Sequence, residues 1–571
     1  DLDVPPTVRE GSFTVQDVNQ TLAVIPLPQG RGRHTVGLDR SPVQQGKLYL
    51  QLRTLLEPQS TLCSPSAERW VVLRNLKVTF RGTAARPSSV AAFWPPDLQQ
   101  LYILVDTTDL TPEVAETVLT VSAFAARLAP AHPVAVYVAP YRDESIRGGP
   151  FTRTVIVRPG TPLRLRLVAG PEGWPGLLIP VPEQEVRHTV RRWLEQALPL
   201  VWGPEARLKH TLPLTPEPTL RLPLTALHPG RLQMRGVGTL ETQIRFRQSD
   251  FGQPVRQVRL YLQGMYTPVP PTGFATLMVL LNDGLVATQP LDRGGSFTLR
   301  VTFPKALLQR ENTLTLRVLY TPPGGECRLG SHDIVVDIAE NAFLEAEPGQ
   351  SLPPGFERYP QALLPEFEVA LDALDIQALD LASILVAALQ RLSPVSLSPR
   401  VTAWRQARVH ALPVLVIARD PEAVGEWDPP LTIQPFRLVD DQGREVLRLE
   451  QDVAFQILQA YELGDRDVLL WSQQGWDEQP QEALRQALLH RQDGWYALHG
   501  DTWVHPRGQE DFSLRLRPSA LKVEPVGLEA TLWDLWARVR GVVFGVAILA
   551  VVAFLIWAYP RLVQDRTPPD A

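Results

Sequence analysis

The chain has 571 residues, 44% hydrophobic and 20% charged, a balance of about three to five globular domains and not of a disordered or coiled-coil protein. A formal net charge of −5 excludes a nucleic-acid binder that works by bulk positive charge. Two cysteines exclude a disulfide framework and a cysteine-rich metal site, and 55 prolines favour loops and short strands over a mostly helical chain.

The chain begins at Asp1 without Met, which reads as processing or truncation. Along it, two segments carry one pattern at an offset of 264 positions. Leu48 to Cys63 (LYLQLRTLLEPQSTLC) matches Asn312 to Cys327 (NTLTLRVLYTPPGGEC), pairing Leu50 with Leu314, Leu52 with Leu316, Arg53 with Arg317, Leu55 with Leu319 and Cys63 with Cys327. The same offset pairs Val15 with Val279, Ala23 with Ala287, Pro26 with Pro290 and Arg127 with Arg391. A gapless offset over this length predicts a duplicated two-domain unit. Each cysteine reads as a small buried hydrophobe and not as half of a bridge.

The first part of each unit alternates with period two and is bounded by turns, so it predicts strands. In the second copy these are Thr219–Leu224, Gln243–Gln248, Val255–Tyr266, Ala275–Asn282, Leu285–Leu291, Ser296–Phe303, Thr313–Tyr320 and Asp333–Ile338. Asn282-Asp283-Gly284 is a hairpin-turn signal. Eight antiparallel strands predict a two-sheet jelly-roll sandwich. The second part of each unit changes period. Leu101–Val105, a helix Pro112–Leu128 and Val134–Val138 in copy one correspond to Phe367–Leu371, a helix Ile376–Leu392 and Pro413–Ala418 in copy two. A helix near Val453–Tyr461, the apolar run Val468–Trp471 and a helix near Asp477–His490 follow. Strands alternating with helices predict parallel α/β sheets of flavodoxin-like type.

The expected order is a partial first jelly roll (1–82), a first flavodoxin-like domain (95–200), a second jelly roll (205–348), a second flavodoxin-like domain (360–505), an amphipathic helix (527–540) and a transmembrane helix (541–560). About 60 residues of the second sandwich have no counterpart in the first. Their partners are expected upstream in a longer precursor, after a signal peptide; the alternative is that residues 1–80 pair with something else.

From Gly541 to Tyr559 the chain reads GVVFGVAILAVVAFLIWAY, without charge. At 1.5 Å per residue this run spans about 28 Å, close to a bilayer core. Trp557 and Tyr559 fall where aromatic residues favour the headgroup layer, and Gly541 and Gly545 lie at the start of the span. Arginines flank both ends, so charge does not orient it. Before it, Leu528, Leu532, Leu535, Trp536 and Val539 recur at helical spacing, on a helix that either lies on the membrane or packs on the last domain.

No phosphate-binding turn, HExxH, GxSxG or close His/Asp cluster occurs, so no catalytic, cofactor or metal site is predicted. Asp372, Asp375 and Asp380 read as a solvated helix start, where negative charge offsets the dipole. Asp143 to Gly148 fits the DxSxxG half of a cyclic-di-GMP motif without its arginine half, and is read as coincidence. Only five basic residues are lysine (Lys47, Lys77, Lys209, Lys305, Lys522) against 51 arginines, a bias assigned to genome composition or high-temperature life.

This domain order and C-terminal span, with VRQVRLYLQGMYTPVPPTGFATLMVLLND from Val255 and FTLRVTFPKALLQRENTLTLRVLY from Phe297, resemble the periplasmic B subunit of bacterial cellulose synthase, the stretch to Cys327 being similar to that family's second jelly roll. The resemblance implies a non-enzymatic, single-pass inner-membrane subunit with its bulk in the periplasm. Its partners would be the multi-span catalytic subunit, reached through the C-terminal helix, and the nascent β-1,4-glucan. Self-association is left open, and cyclic-di-GMP would be sensed on the catalytic subunit. Sugar contact needs aromatic rings, and the candidates near turns are Trp94, Trp174, Tyr266 and Phe274. The competing readings are an envelope scaffold or adhesion protein without a glucan partner, and a glycoside hydrolase, which would need two carboxylates about 5–10 Å apart.

Overall fold

A computed structural model of the chain describes residues 1–516 outside 39–47, 59–70, 80–85, 208–218, 326–331, 432–435, 440–444 and gaps of one to three residues; beyond 516 it describes 522–525, 540, 548–556 and 559. Cys63 and Cys327 lie outside the described residues.

The chain opens with six strands: β1 (Leu2–Val4), β2 (Val8–Gln16), β3 (Thr21–Pro26), β4 (Gly30–Gly32), β5 (Gln51–Pro58) and β6 (Val72–Leu73). They form two three-stranded sheets, ordered β4-β1-β6 and β3-β2-β5, around a small core of Leu2, Val4, Val8, Phe13, Val15 and Leu27.

The first α/β unit comprises β7 (Gln100–Val105), α1 (Pro112–Leu128), β8 (Ala135–Pro140), β9 (Thr152–Pro159), β10 (Arg164–Val168), β11 (Gly176–Val181), α2 (Val186–Arg192) and β12 (Glu205–Arg207). α1 starts where the Thr111 hydroxyl accepts the Val114 N–H and Pro112 occupies the first turn, where its missing N–H costs nothing. The sheet runs β8-β7-β9-β11 in parallel, then β10 and β12 antiparallel.

The second sandwich comprises β13 (Arg221–Pro223), α3 (Leu224–Leu227), β14 (Gln233–Gly236), β15 (Gly238–Arg247), β16 (Val255–Tyr266), β17 (Phe274–Leu281), β18 (Gly284–Pro290), β19 (Ser296–Thr302), β20 (Glu311–Thr321), β21 (Ile334–Ile338) and β22 (Phe343–Pro348). One sheet is ordered β13-β22-β16-β21-β14 with β19 also on β16; the other is β15-β20-β17-β18. Val258, Leu260 and Leu262 alternate into the core, which leaves Arg259, Tyr261 and Gln263 on the outer face. Asn282 and Asp283 take φ of 49° and 66°, the left-handed pair a tight hairpin requires. The Asn282 amide also donates to the Leu307 carbonyl at 2.7 Å and accepts from the Thr313 N–H at 2.8 Å.

The second α/β unit comprises β23 (Phe367–Leu371), α4 (Ile376–Gln390), β24 (Pro399–Val401), α5 (Trp404–Ala407), β25 (Val414–Ala418), α6 (Pro421–Gly425), β26 (Phe436–Val439), β27 (Glu445–Leu449), β28 (Phe455–Leu463), β29 (Arg466–Gln474), α7 (Pro480–Leu489), β30 (Thr502–Pro506), β31 (Phe512–Leu514) and β32 (Lys522–Pro525). Its main sheet runs β24-β23-β25-β29 in parallel and then β28, β30 and β31 antiparallel. The helix expected near Val453–Tyr461 is therefore strand β28. It is central and buried on both faces, so its apolar run lacks the alternation that marks a half-exposed strand. In both units four parallel strands give way to an antiparallel hairpin, β10–β11 and β28–β29. Connections that short cannot hold the helical crossover that an all-parallel, flavodoxin-like sheet needs.

The duplication is present in the strand registers. In copy one Val15 sits opposite Ala23 on one side and Leu52 on the other. In copy two Val279 sits opposite Ala287 and Leu316, each 264 positions on. An irregularity follows Val15 in one ladder and Val279 in the other. The two α/β units then share a single core in which α1 packs on α4. Each of these helices also reaches the edge strand of the other copy. Asp380 on α4 accepts the Val138 N–H of β8 at 2.9 Å, and Glu116 on α1 accepts the Val401 N–H of β24 at 3.1 Å. Glu116 and Asp380 are themselves 264 positions apart. α4 is apolar nearly all round because it is covered on every side.

Candidate functional site

In an open α/β sheet, ligands bind beyond the carboxyl ends of the strands where the strand order reverses. Here an ion pair stands in each such crevice. In the first unit Asp106, just after β7, pairs with Arg158 of β9, whose guanidinium lies 5.9 Å from the Tyr141 ring centroid. In the second, Asp372 accepts the backbone N–H of Arg419 at 2.6 Å and its Nε at 3.1 Å, while Asp375 accepts its terminal nitrogen at 2.7 Å. Asp375 also caps α4 by accepting the Ala378 N–H. The solvated acidic cluster expected at 372–380 is thus divided. Asp372 and Asp375 hold Arg419, whereas Asp380 is buried against Arg485 at 2.7 Å. Burial pushes the Asp380 carboxyl up, opposed by the Arg485 charge. Among the described residues no group of His, Cys, Asp and Glu could hold a metal ion.

Three of the four expected sugar contacts are structural. Trp94 packs edge-on to Phe93 and Phe124, with centroids at 5.2 and 5.3 Å, over the shared α/β core. Trp174 is 9% exposed and lies under the Arg153 guanidinium. Tyr266 is 6% exposed; its hydroxyl donates to Asp292 Oδ1 at 2.9 Å and accepts the Asp292 N–H at 3.0 Å. The Gly294 N–H and then the Tyr266 hydroxyl hold the Asp292 carboxyl below its ordinary range. Aromatic residues beside turns are commonly such anchors, because a ring there closes the end of the core. Phe274, at the start of β17, is 60% exposed and is free to meet a ligand.

The aromatic pair best placed on an open surface is one that the turn argument missed. On the outer face of the second sandwich, Tyr261 of β16 and Phe343 of β22 stack at 4.6 Å and 15°. Arg300 covers Tyr261 at 5.5 Å and Arg221 covers Phe343 at 5.1 Å, giving a row of cation, ring, ring and cation across four strands. The Tyr261 hydroxyl donates to Glu345 at 3.1 Å, and Arg221 donates to the same carboxylate at 2.9 Å. The Arg221 hydrogen bond is the main reason the Glu345 carboxyl stays below its ordinary pKa. Gln263, Asn341 and Glu347 continue this polar face. Planar polar side chains around ring edges are the groups that meet sugar hydroxyls. Outward alternation along Val255–Tyr266 could have found Tyr261. Phe343 needed knowledge of β22, whose register pairs it with Tyr261. Trp202 is a second omission: it is 81% exposed, on a segment pinned by the Ala91 N–H to the Val201 carbonyl and the Val90 N–H to the Gly203 carbonyl.

Of the expected membrane contacts, Trp536, Gly541, Gly545 and Trp557 lie outside the described residues. Tyr559 is helical and exposed, as are residues 548–556. Among the described residues no helix is long and apolar enough to cross a membrane.

The two-sheet sandwich with its open aromatic and polar face is similar to carbohydrate-binding modules. Residues 219–345 match the family model of the first CBM domain of cellulose synthase BcsB. Over these residues the chain is similar to the B subunit of cellulose synthase; the match covers this one domain. The match is to that family's first such domain, where the sequence pattern suggested its second; domains that share strand pattern, as the two copies within this chain do, are easily exchanged on pattern alone. No curated protein matches the chain. Similar solved structures include the insecticidal delta-endotoxin Cry8Ea1 of Bacillus thuringiensis (13% identity, 22% of this chain and 24% of that one, TM-score 0.16), TmCBM61 in complex with beta-1,4-galactotriose (14%, 21% and 74%, 0.14), and the CBM22-1 xylan-binding domain of Paenibacillus barcinonensis Xyn10C (10%, 23% and 96%, 0.15). The chain thus spans about a quarter of the first of these.

Proposed function

We propose that the protein is a non-catalytic, membrane-anchored subunit of a cellulose synthase. In this role it holds the nascent β-1,4-glucan on the outer face of its second sandwich, and its C-terminal helix docks on the multi-span catalytic subunit at the inner membrane. The observation that carries the reading is the family match over 219–345, which falls on the domain whose outer face carries Tyr261, Phe343 and their polar surround. The ion-paired crevices of the α/β units agree with a role that needs no nucleotide in either. The exposed apolar residues at 548–556 agree with a segment meant for lipid, with the bulk of the chain in the periplasm.

Reconstitution tests this. The chain and a multi-span family-2 glycosyltransferase are placed in proteoliposomes, and UDP-glucose polymerisation is followed with and without residues 527–571. Loss of polymer on deletion is expected. Unchanged polymerisation would overturn the anchoring role, and failure of the full chain to bind cellohexaose would overturn glucan handling.

A further inference from the structure

Where the C-terminal end of α7 meets β30 and β31, a depression of about 160 Å³ opens to solvent. Ala483, Gln486 and Ala487 form one wall, and Arg491, His505 and Asp511 form the other. The His505 ring is held from two sides: Trp503 lies parallel to it at 5.7 Å and 4°, and Trp476 lies at 5.5 Å. Its Nδ1 is shielded from solvent and has no hydrogen-bond partner among the described residues. A shielded ring nitrogen without a partner is uncommon, because its desolvation is left uncompensated. Asp511 is held by the Trp503 indole N–H at 2.9 Å and by Arg491 at 3.2 Å, and retains acceptor capacity towards the opening.

The chemistry narrows the occupant. The Arg491 charge is met by Asp511 and by Asp493 at 3.2 Å, so the site is not built for an anion. Among the described residues Asp511 is the single carboxylate on the lining, and it is already paired, so these residues do not make a metal site. Burial holds the His505 imidazole below its ordinary pKa, so near neutral pH the ring is neutral, and with Nδ1 shielded it is Nε2 that can serve an occupant. Two alanines give a flat apolar wall. An amide, a carboxylate, a guanidinium and an imidazole around such a wall suit a neutral ring with an apolar face and an equator of hydroxyls.

We propose that this depression is a saccharide subsite on the second α/β unit that takes one hexose ring of a neutral glycan, with His505, Asp511, Arg491 and Gln486 meeting its hydroxyls. Its assignment to a glucose unit of β-1,4-glucan rests on the function proposed above. The subsite lies on a different domain from the Tyr261–Phe343 face, so one chain would hold a glucan at two places.

The test uses the full chain in lipid nanodiscs with histidine-selective isotope labelling and cellopentaose as the probe. The His505 resonances are expected to shift saturably. R491A and Q486A, both at the exposed rim where folding is little affected, are expected to weaken that shift about tenfold, the equivalent of one good hydrogen bond. Y261A is expected to leave it in place. Calorimetry on the same samples reports total binding. If cellopentaose binds the chain and His505 does not move, the subsite is overturned while the proposed function stands. If no binding is measured by either method, both are overturned.

Discussion

The Asp380 carboxylate sits 2.7 Å from the Arg485 guanidinium, and between them the two side chains occupy the edge of β8: Asp380 accepts the Val138 N–H and Arg485 donates to the Val136 carbonyl at 2.8 Å. An open strand edge inside a protein leaves backbone groups without water or partner. Here a buried ion pair from the other copy of the repeat supplies both. Arg485 also lies over the Tyr137 ring at 4.2 Å, so its flat guanidinium packs as well as pairs.

Removing Arg485 strands a buried carboxylate and a buried carbonyl. R485A is expected to destabilise the α/β pair by about 3–5 kcal/mol, the range for breaking a buried pair by removing one partner. Chemical denaturation followed by tryptophan fluorescence measures it. The double variant D380N/R485M should recover part of the loss, since no uncompensated charge remains. A loss below about 1 kcal/mol in R485A would show that the edge is held by packing alone.

Glu116 occupies the equivalent place without an ion-pair partner among the described residues. Burial pushes its carboxyl from 4.5 up to about 7, against the opposing pull of Arg187 and Arg400. The unfolded chain therefore releases this proton at lower pH than the folded one. Stability from this group is whole below about pH 4.5 and is lost as pH rises through about 7. The loss is bounded by about 3 kcal/mol. E116Q keeps the acceptor for Val401 and removes the titration. Its stability relative to wild type should rise between pH 5 and pH 8; parallel curves would refute the assignment.

Asp375 both caps α4 and holds Arg419. D375A is expected to cost about 1–2 kcal/mol, with D375N losing less because the amide still accepts the Ala378 N–H. Thermal unfolding of the two variants side by side measures the difference. Equal losses would mean that the Arg419 charge, not the cap, is what matters.

On the sandwich face, Y261A and F343A are each expected to weaken cellohexaose binding three- to tenfold, about the worth of one aromatic contact. Both side chains point outward, so the melting temperature should move little. Y266F, which loses the contact to Asp292 at the turn before β19, is expected to lower stability and leave sugar affinity unchanged. The opposite pattern would move the site from the sheet face to the loops.

Much of the architecture was legible because it depends on local period. The strands Val255–Tyr266 and Ser296–Phe303 alternate cleanly, since one face is buried and the other wet. The offset of 264 was readable because matching registers demand matching inward residues, as Val15 and Val279 show. What escaped depends on partners distant in sequence. β28 lies between two strands and carries no alternation to betray it. Asp380 looked like one more acid at a helix start, because nothing near it in sequence tells of Val138, 242 residues away. Tyr261 became a candidate only once β22 placed Phe343 beside it. The surplus of arginine gains a local reason in the same way. The guanidinium groups at Arg147, Arg221, Arg300 and Arg485 lie against rings, a use that the lysine ammonium serves less well.

The crossed contacts of Glu116 and Asp380 have the form of an isologous interface, in which one patch meets its own copy and every contact occurs twice. In a homodimer a substitution on one side would be imposed on both. Within a single chain the two halves are separate codons, and they have parted: one carboxylate has taken a buried arginine, and the other titrates near neutrality. The two halves also cannot be diluted apart, so their association does not depend on protein concentration.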